Sequence, residues 1–418
     1  MYGQHDPQRI ALELMIAESA ALIASQMPGR RFAARLALFY AAVFGTVGTY
    51  LPFFPVWLKA VGIDPSWIGL ITAVPSVTRF TVLPFITGLA EKHRALRGAM
   101  MATAFLAALG FSVIGLLDTP VLILIAFALT ACVWTPLVPL TDGYALKGVA
   151  RYGLNYGPMR LWGSAAFVVG ALACGLLVEV IAAKHLIWII AGMATVGALS
   201  SLRLQPISAP GPARVMLPAT SLLRERGFLT IMAASALIQG SHATYYTFAS
   251  ISWQGAGVGG LTIAGLWSLG VIAEIVVFAL SPRFTLSPAL LVVLGGLSGL
   301  TRWVITAQQP DIAVLSVIQL MHGLTYGLTQ VGIMGLLVRH VPGHLTATAQ
   351  GYLTACTGIV MSSAAVVSGL IYARYGEGAY YAMAVLALAG AATMWFGRHR
   401  ADTPYAAADQ PQSVASGG

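Results

Sequence analysis

An aspartate and an arginine, Asp142 and Arg160, lie between two long apolar stretches of the sequence, 121–139 and 165–178. Each stretch is about long enough to cross a bilayer. Ionised groups at the inner edges of membrane helices are costly, so they are usually paired, face a cavity and mark a pathway. Two interpretations follow: a structural ion pair that clips two helices together, or a polar binding site inside a helical bundle.

A second group of ionisable residues, Glu274, Arg302 and His322, lies inside three successive apolar segments. An isolated buried carboxyl group tends to stay protonated, whereas a nearby arginine favours its ionised form. Histidine can relay a proton or donate hydrogen bonds. The three residues are therefore candidates for carrying a proton, and a permanent structural Glu–Arg–His network is the alternative.

Other polar residues recur at helical spacing and predict the lining of a cavity. One face carries Gln319, His322, Tyr326 and Gln330, and another carries Gln239, His242 and Tyr246 with Tyr245 beside them. Any single member could instead form an interhelical hydrogen bond. Arg79, between Pro75 and Pro84, is a third cavity cation or a structural one.

Composition fixes the class of protein. The chain has 418 residues, of which 58% are hydrophobic and only 9% are charged, against roughly 25% charged in soluble domains. This indicates an integral membrane protein, and its 45 glycines allow close helix packing. Cys132, Cys174 and Cys356 all lie in apolar runs, so we expect buried thiols and neither a disulfide framework nor a metal site.

The apolar segments predict an all-α membrane protein with twelve transmembrane helices in two pseudo-symmetric six-helix bundles. The predicted helices are 33–58, 66–89, 98–117, 120–146, 158–181, 185–204, 228–252, 261–281, 288–306, 312–338, 346–372 and 379–397. The predicted divisions are an N-terminal extension 1–30, bundles 31–204 and 228–397, a basic proline-containing linker 205–227 and a tail 398–418. Repeated six-helix halves are typical of secondary transporters. The extension, with Glu13 and Glu18, is a poor signal peptide; it is either a surface helix or an over-extended start before Met27.

The distribution of basic residues predicts the orientation. With both termini in the cytoplasm, only Lys59, Lys184 and Arg374 of the 23 lysines and arginines fall on the other side, and three arginines fall within helices. This is the positive-inside pattern, so the net charge of +9 needs no nucleic acid to explain it. We expect a multi-pass protein of the bacterial inner membrane.

Motifs for catalysis, metal binding or cofactor binding are not recognisable. The run Gly255–Gly260 fits G-x-G-x-x-G, but it lies in a predicted loop with no strand before it, so we treat it as chance. We therefore expect neither an enzyme nor a cofactor.

Several motifs resemble the major facilitator superfamily, specifically its lactose permease and phenylpropionic acid permease branches. They are GTYLPFFPVW (48–57), GLAEKHR (88–94), YGPMRLWGS (156–164), QGSHATYY (239–246), LGVIAE (269–274) and HGLTYG (322–327). The resemblance covers about residues 33–397. In the inner-loop motif, which includes Gly88, Lys92 and Arg94, Glu91 stands in for the usual aspartate.

The resemblance implies roles for individual residues. Asp142 and Arg160 match a substrate-binding pair, and Phe167 matches a stacking aromatic, although a lone phenylalanine is more often a packing residue. Glu274, Arg302 and His322 match proton-coupling positions. The family also has a lysine and a glutamate on the tenth helix, where this chain has Gln319 and Thr325. Glu274 or Asp142 would then have to carry the proton, or coupling is absent.

Together these observations predict a proton-coupled symporter that works by alternating access, as a monomer in a lipid bilayer. Three cavity arginines (79, 160, 302) against two carboxylates (142, 274) favour a monoanion such as an aromatic carboxylate. We expect Tyr245, Tyr246 and Phe167 to supply aromatic contacts. The alternatives are a sugar or nucleoside symporter, and a membrane sensor or scaffold that does not transport.

Overall fold

The computed structural model describes residues 7–93, 95–154, 156–207, 220–341 and 345–402, which form helices and short connections and contain no β-strand. The α-helices are α1 (Pro7–Ala60), α2 (Pro65–Lys92), α3 (Leu96–Ile114), α4 (Pro120–Trp134), α5 (Leu137–Tyr152), α6 (Tyr156–Val180), α7 (Leu186–Ser201), α8 (Arg226–Gly240), α9 (Ala243–Gly255), α10 (Gly260–Leu280), α11 (Pro288–Ala307), α12 (Ile312–Leu320), α13 (Thr329–His340), α14 (Thr346–Tyr375) and α15 (Ala379–Asp402). A π-helical turn, Gly323–Leu328, joins α12 to α13.

These helices make twelve crossings in two groups of six, because α4 with α5, α8 with α9, and α12 with α13 each form one broken crossing. Ten stretches of the described residues are long and apolar enough to span a membrane. One of them, Thr348–Asp402, takes in both α14 and α15, whereas α8 and α9 are each too short to qualify alone. The chain is therefore a multi-pass membrane protein, and the predicted fold class is confirmed.

Three predicted helices are interrupted where polar side chains or proline compete with the helical hydrogen bonds. Between α4 and α5, the Thr135 hydroxyl pairs with Thr78 at 2.7 Å and Pro136 follows. Between α8 and α9, the Ser241 hydroxyl donates to the carbonyl of Ile238 at 2.6 Å. The third interruption is the π-helical turn. All three interruptions place polar groups in the middle of a bundle. In an unbroken helix, the backbone groups at these positions would be used in the helix's own hydrogen bonds.

The first helix also differs from its prediction. It begins at Pro7 and continues without a break to Ala60, so the predicted extension and the first membrane helix belong to one helix. Within this helix, the stretch Pro28–Ala60 is long and apolar enough to span a membrane. The domain boundary at residue 30 stays a prediction.

The two bundles meet closely at the end of the molecule away from the chain termini. A β-carbon at Gly175 (α6) would lie 2.5 Å from the carbonyl oxygen of Gly260 (α10), and one at Gly69 (α2) would lie 2.7 Å from that of Ala365 (α14). Side chains cannot fit into such backbone contacts. The bundles are therefore sealed at this end by glycine.

Polar contacts support the same seal. Glu179 at the end of α6 accepts a hydrogen bond from the backbone N–H of Leu261 at 3.2 Å, so a carboxylate of one bundle caps a helix N-terminus of the other. The hydroxyls of Thr72 (α2) and Thr247 (α9) pair at 3.1 Å. The central site described below is thus shut off from this end.

A large side chain at the glycine contact between the bundles should keep this end of the molecule open. We expect Gly175→Trp to prevent closure and to lower transport by more than about tenfold, because the clash is with backbone that no rotamer change can relieve. Gly192→Trp is the matched control, since a β-carbon at Gly192 meets no atom within 4 Å. Labelling of a cysteine introduced beside the seal, measured with each variant, reports closure directly. Wild-type transport by Gly175→Trp would show that tight closure at Gly175 is not required during the cycle.

Candidate functional site

Asp142 lies in a cluster of the first bundle that is reachable by water. Its carboxylate oxygen Oδ1 accepts hydrogen bonds from the hydroxyls of Tyr40 at 2.6 Å and Tyr156 at 2.9 Å. Its side chain is 34% exposed. The carboxylate of Asp142 thus accepts two short hydrogen bonds from neutral hydroxyl groups, and it needs no arginine to satisfy it.

Arg160 is held more loosely than a structural ion pair requires. Its Nε lies 3.9 Å from Oδ1 of Asp142, beyond hydrogen-bonding distance, and its side chain is 30% exposed. The guanidinium group rests on the ring of Phe44, 3.9 Å from the ring centre. A cation placed in this way can turn toward a ligand without breaking a hydrogen bond.

Arg302 is the centre of a second cluster, in the other bundle, and is fully buried. It donates to Nδ1 of His322 and to Oε1 of Gln319, both at 2.9 Å, and its guanidinium lies 4.5 Å from the ring centres of Tyr245 and Trp303. No carboxylate oxygen of the described residues lies within 4.0 Å of it, and its buried Nε has no hydrogen-bond partner there. This cluster therefore carries an unneutralised positive charge.

The hydrogen bond from Arg302 determines which nitrogen of His322 carries the proton. A guanidinium can only donate, so Nδ1 of His322 must accept and the ring proton is on Nε2. Nε2 faces Oε2 of Glu274 at 3.8 Å. In this arrangement His322 is a neutral bridge between Arg302 and Glu274, and it could relay a proton only if Arg302 released Nδ1.

His242, at the break between α8 and α9, is fixed in the opposite tautomer. Its Nδ1 lies 3.2 Å and 3.3 Å from the carbonyl oxygens of Ile238 and Gln239, so Nδ1 carries the hydrogen. Its Nε2 then accepts from the hydroxyl of Thr325 at 3.0 Å. The same hydroxyl oxygen lies 3.3 Å from Arg302 and can accept from it. Thr325 thus joins His242 to the Arg302 cluster at the position where the resembling family has a glutamate.

Aromatic rings surround the second cluster. Tyr246 stacks on Trp267, with ring centres 6.1 Å apart, and lies beside His242. Tyr245 lies against Trp267 at 4.6 Å. Trp303 donates to the Ser241 hydroxyl at 3.0 Å. The result is an apolar wall with a few fixed polar groups, the usual make-up of a site for a small organic ligand.

The two clusters lie on facing sides of the contact between the bundles. Arg160 lies on α6 and Glu274 lies on α10, and these two helices pack against each other across that contact. Arg79 lies on α2 of the first bundle, and its side chain is exposed. Asp142 and Arg160 are partly exposed near the end that bears the termini, so this state of the molecule is open toward that end.

The other predicted site residues have these surroundings. Phe167 is 5% exposed, and its backbone packs on Gly48 of α1; its contact with a substrate stays a prediction. Gln239 is buried, and its described contact is the backbone carbonyl beside His242. In the inner-loop motif Gly88 is exposed and Lys92 ends α2, whereas Arg94 and the side chain of Glu91 lie outside the described residues.

Several contacting residues were missed by the sequence reasoning. They are aromatic, namely Tyr40, Phe44, Trp267 and Trp303. Aromatic residues are ordinary in apolar helices, so nothing in their pattern marks them. Among the described residues no group of three or more His, Cys, Asp or Glu side chains could hold a metal ion.

Comparison with known proteins identifies the family. The model of the MFS_1 like family matches residues 33–383. The "Probable 3-phenylpropionic acid transporter" of Escherichia coli (strain K12) is 31% identical over 84% of this chain and 94% of its own length. The maltose permease of Geobacillus stearothermophilus is 28% identical over 82% of this chain and 89% of its own length.

Solved structures show the same fold. A point mutant of the nucleoside transporter NupG superimposes with a TM-score of 0.79, at 14% identity, over 88% of this chain and 99% of that one. A bacterial homologue of the human lysosomal transporter Spinster, in an inward-facing and occupied conformation, gives 0.69 at 12% identity, over 88% and 96% of the two chains. With its two facing polar clusters inside a twelve-crossing fold, the chain belongs to the MFS_1-like family of the major facilitator superfamily and is a secondary active membrane transporter, not an enzyme.

Proposed function

We propose that this transporter carries a small aromatic carboxylate, of the size of 3-phenylpropionate, together with a proton. The observation that carries the proposal is the state of Arg160. It is a partly exposed cation that no hydrogen bond ties to Asp142, whose own carboxylate is already satisfied by two tyrosines. A planar guanidinium with free donors binds a carboxylate in two parallel hydrogen bonds.

The overall charge of the site supports an anion. Arg302 has no carboxylate partner among the described residues, and Arg79 of α2 is proposed to add a further cation. The half-buried ring of Tyr246, with the buried Trp267 stacked against it, offers the flat apolar contact that an aromatic substrate needs. The 31% identical relative bears a matching name. Gln239, His242 and Tyr245 are proposed to shape the pocket rather than to meet the charge.

Proton coupling is proposed to rest on Glu274. It is the carboxylate nearest to Arg302 through the His322 bridge, and its side chain is 26% exposed, so it can exchange protons with the open side. In the tenth crossing Thr325 cannot ionise. Arg302 and Glu274 belong to the same bundle, so coupling would then follow from a change of their distance within that bundle, while the rocking of the bundles exposes Glu274 to one side at a time.

The proposed location is the bacterial inner membrane, with both termini in the cytoplasm, as a monomer. The basic residues support this orientation, because Lys59, Lys184 and Arg374 are the exceptions on the other side. In this orientation the glycine seal closes the outer end and the site is open to the cytoplasm.

The test is uptake by purified protein in sealed proteoliposomes. We expect saturable uptake of labelled 3-phenylpropionate that an inward proton gradient stimulates, with competition by other aromatic acids. Maltose and nucleosides should not compete. Maltose and nucleosides are the main alternative substrates, because the maltose permease and NupG are among the similar proteins. Saturable uptake of either uncharged solute, without any response to aromatic acids, would contradict the proposed substrate.

The bridging role of His322 leads to a separate expectation. The amide of His322→Gln can accept from Arg302 and donate to Glu274, so uptake should stay within about tenfold of wild type. His322→Phe removes the nitrogen that accepts from Arg302 and the polar group that faces Glu274, and uptake should fall about 10- to 100-fold. Equal, complete loss in both variants would mean that His322 itself titrates during transport.

A further inference from the structure

A cleft of about 190 Å³ lies at the terminus-bearing end of the first bundle, away from the transport site. Its walls are the start of α3 (95–98), Tyr144 and Lys147 of α5, and Pro206 and Ile207 after α7. We refer to it as the basic cleft. It belongs to one bundle, so it does not depend on the contact between the two.

The basic cleft has a positive charge and no acidic wall. Arg97 and Lys147 are its charged lining residues, and none of its eight lining residues is acidic. The Tyr144 hydroxyl donates to the carbonyl of Gln205 at 2.6 Å, which fixes the floor of the cleft. The cleft is therefore built to attract an anion.

Two sets of hydrogen-bond donors are free to bind such an anion, namely the side chain of Arg97 and the backbone N–H groups at the start of α3. Nε of Arg97 is buried and has no partner among the described residues, and its Nη2 donates only a long bond of 3.4 Å to the carbonyl of Leu202. A buried donor without a partner points to a group that is bound there. The helix α3 begins beside it, where Ala95 offers no side chain to cap the N-terminus, and an uncapped helix N-terminus favours an anion.

The level of the cleft in the membrane identifies the source of the anion. Leu96 begins one membrane-spanning helix, and Lys147 lies near the end of α5, which ends at Tyr152. The cleft is thus at the depth of the lipid headgroups. Leu199 and Leu202 beside it are large, exposed apolar side chains that could contact an acyl chain.

We propose that the basic cleft binds the phosphate group of an anionic phospholipid, through Arg97, Lys147 and the N-terminus of α3. Lipid recognition by basic pockets between helices at a membrane surface follows the same physics. The bound headgroup would also hold the start of the linker, at Pro206 and Ile207, against the first bundle.

The test measures binding of short-chain phosphatidylglycerol to the full chain in a neutral detergent. Phosphatidylcholine and inorganic phosphate are the comparison ligands. We expect saturable binding of phosphatidylglycerol that Arg97→Gln and Lys147→Gln each weaken about tenfold, since each removes a hydrogen bond to a charged group. Arg151→Gln is the control: it removes an exposed cation at the end of the same helix α5, outside the cleft, and should change nothing.

Each other outcome overturns a stated part of the proposal. Equal binding of phosphatidylcholine would remove the requirement for an anionic lipid. Inorganic phosphate that binds as tightly as phosphatidylglycerol would assign the cleft to a soluble anion. Equal weakening by Arg151→Gln would show a general charge effect. If Arg97→Gln unfolds, Lys147→Gln alone decides, because no hydrogen bond of Lys147 supports the fold among the described residues.

Discussion

Replacement of Arg160 by glutamine should weaken binding of 3-phenylpropionate by about 10- to 100-fold, the loss of one or two hydrogen bonds to a charged group. The fold should be almost unaffected, because the Arg160 to Asp142 distance is 3.9 Å and both side chains are about a third exposed. Exposed ion pairs of this kind contribute at most about 1 kcal/mol to stability. Affinity and melting temperature of the purified variant are the two measurements.

The contrast with a structural role is clear. If the pair only clips two helices together, Arg160→Gln should lower the melting temperature and leave the affinity for the substrate unchanged. Asp142→Asn is the matched variant: its amide can still accept from Tyr40 and Tyr156, so we expect the fold to persist. Wild-type affinity in both variants would remove this cluster from the binding site.

The second large effect concerns coupling. Glu274→Gln resembles the protonated carboxyl group permanently, so the variant should exchange labelled for unlabelled substrate across the membrane and fail to accumulate it. Exchange requires only that the loaded carrier reorients, whereas accumulation requires that the proton leaves on the inside. Parallel assays of exchange and of gradient-driven uptake, in the same proteoliposomes, separate the two steps.

A variant of Arg302 is a second test of the same coupling. Arg302→Ala removes the charge that would favour proton release from Glu274, so it should also harm accumulation more than exchange. Full gradient-driven accumulation by Glu274→Gln would exclude this residue as the carrier. Asp142 would then be the remaining candidate, because Thr325 cannot ionise.

The long apolar segments predicted the fold well, for a physical reason. In a bilayer every crossing must satisfy its own backbone, so long apolar helices are the available solution and can be read from composition. The three breaks could not be read in the same way. At Ser241 a hydroxyl replaces a helical hydrogen bond, and at Gly323–Leu328 the chain adds a π-helical turn. Both depend on tertiary partners that the sequence does not display.

The charged site residues were predictable because ions are rare and costly in a membrane. The aromatic site residues were not predictable, because aromatic residues are ordinary in apolar helices. Glu274 and His322 were expected to approach each other, and the structure brings them to 3.8 Å. Asp142 and Arg160 were expected to form a pair, but Tyr40 and Tyr156 provide the short contacts instead. The roles of these residues in binding and coupling stay predictions.

Substrate-driven proton movement tests the central claim most directly. Proteoliposomes in a lightly buffered medium receive 3-phenylpropionate without any imposed gradient, and an external pH electrode follows the medium. Liposomes without protein measure passive entry of the protonated acid. We predict saturable alkalinisation of the medium above that background with the wild type, and none with Glu274→Gln. Saturable uptake of the labelled acid without alkalinisation above background would contradict proton-coupled transport of an aromatic carboxylate.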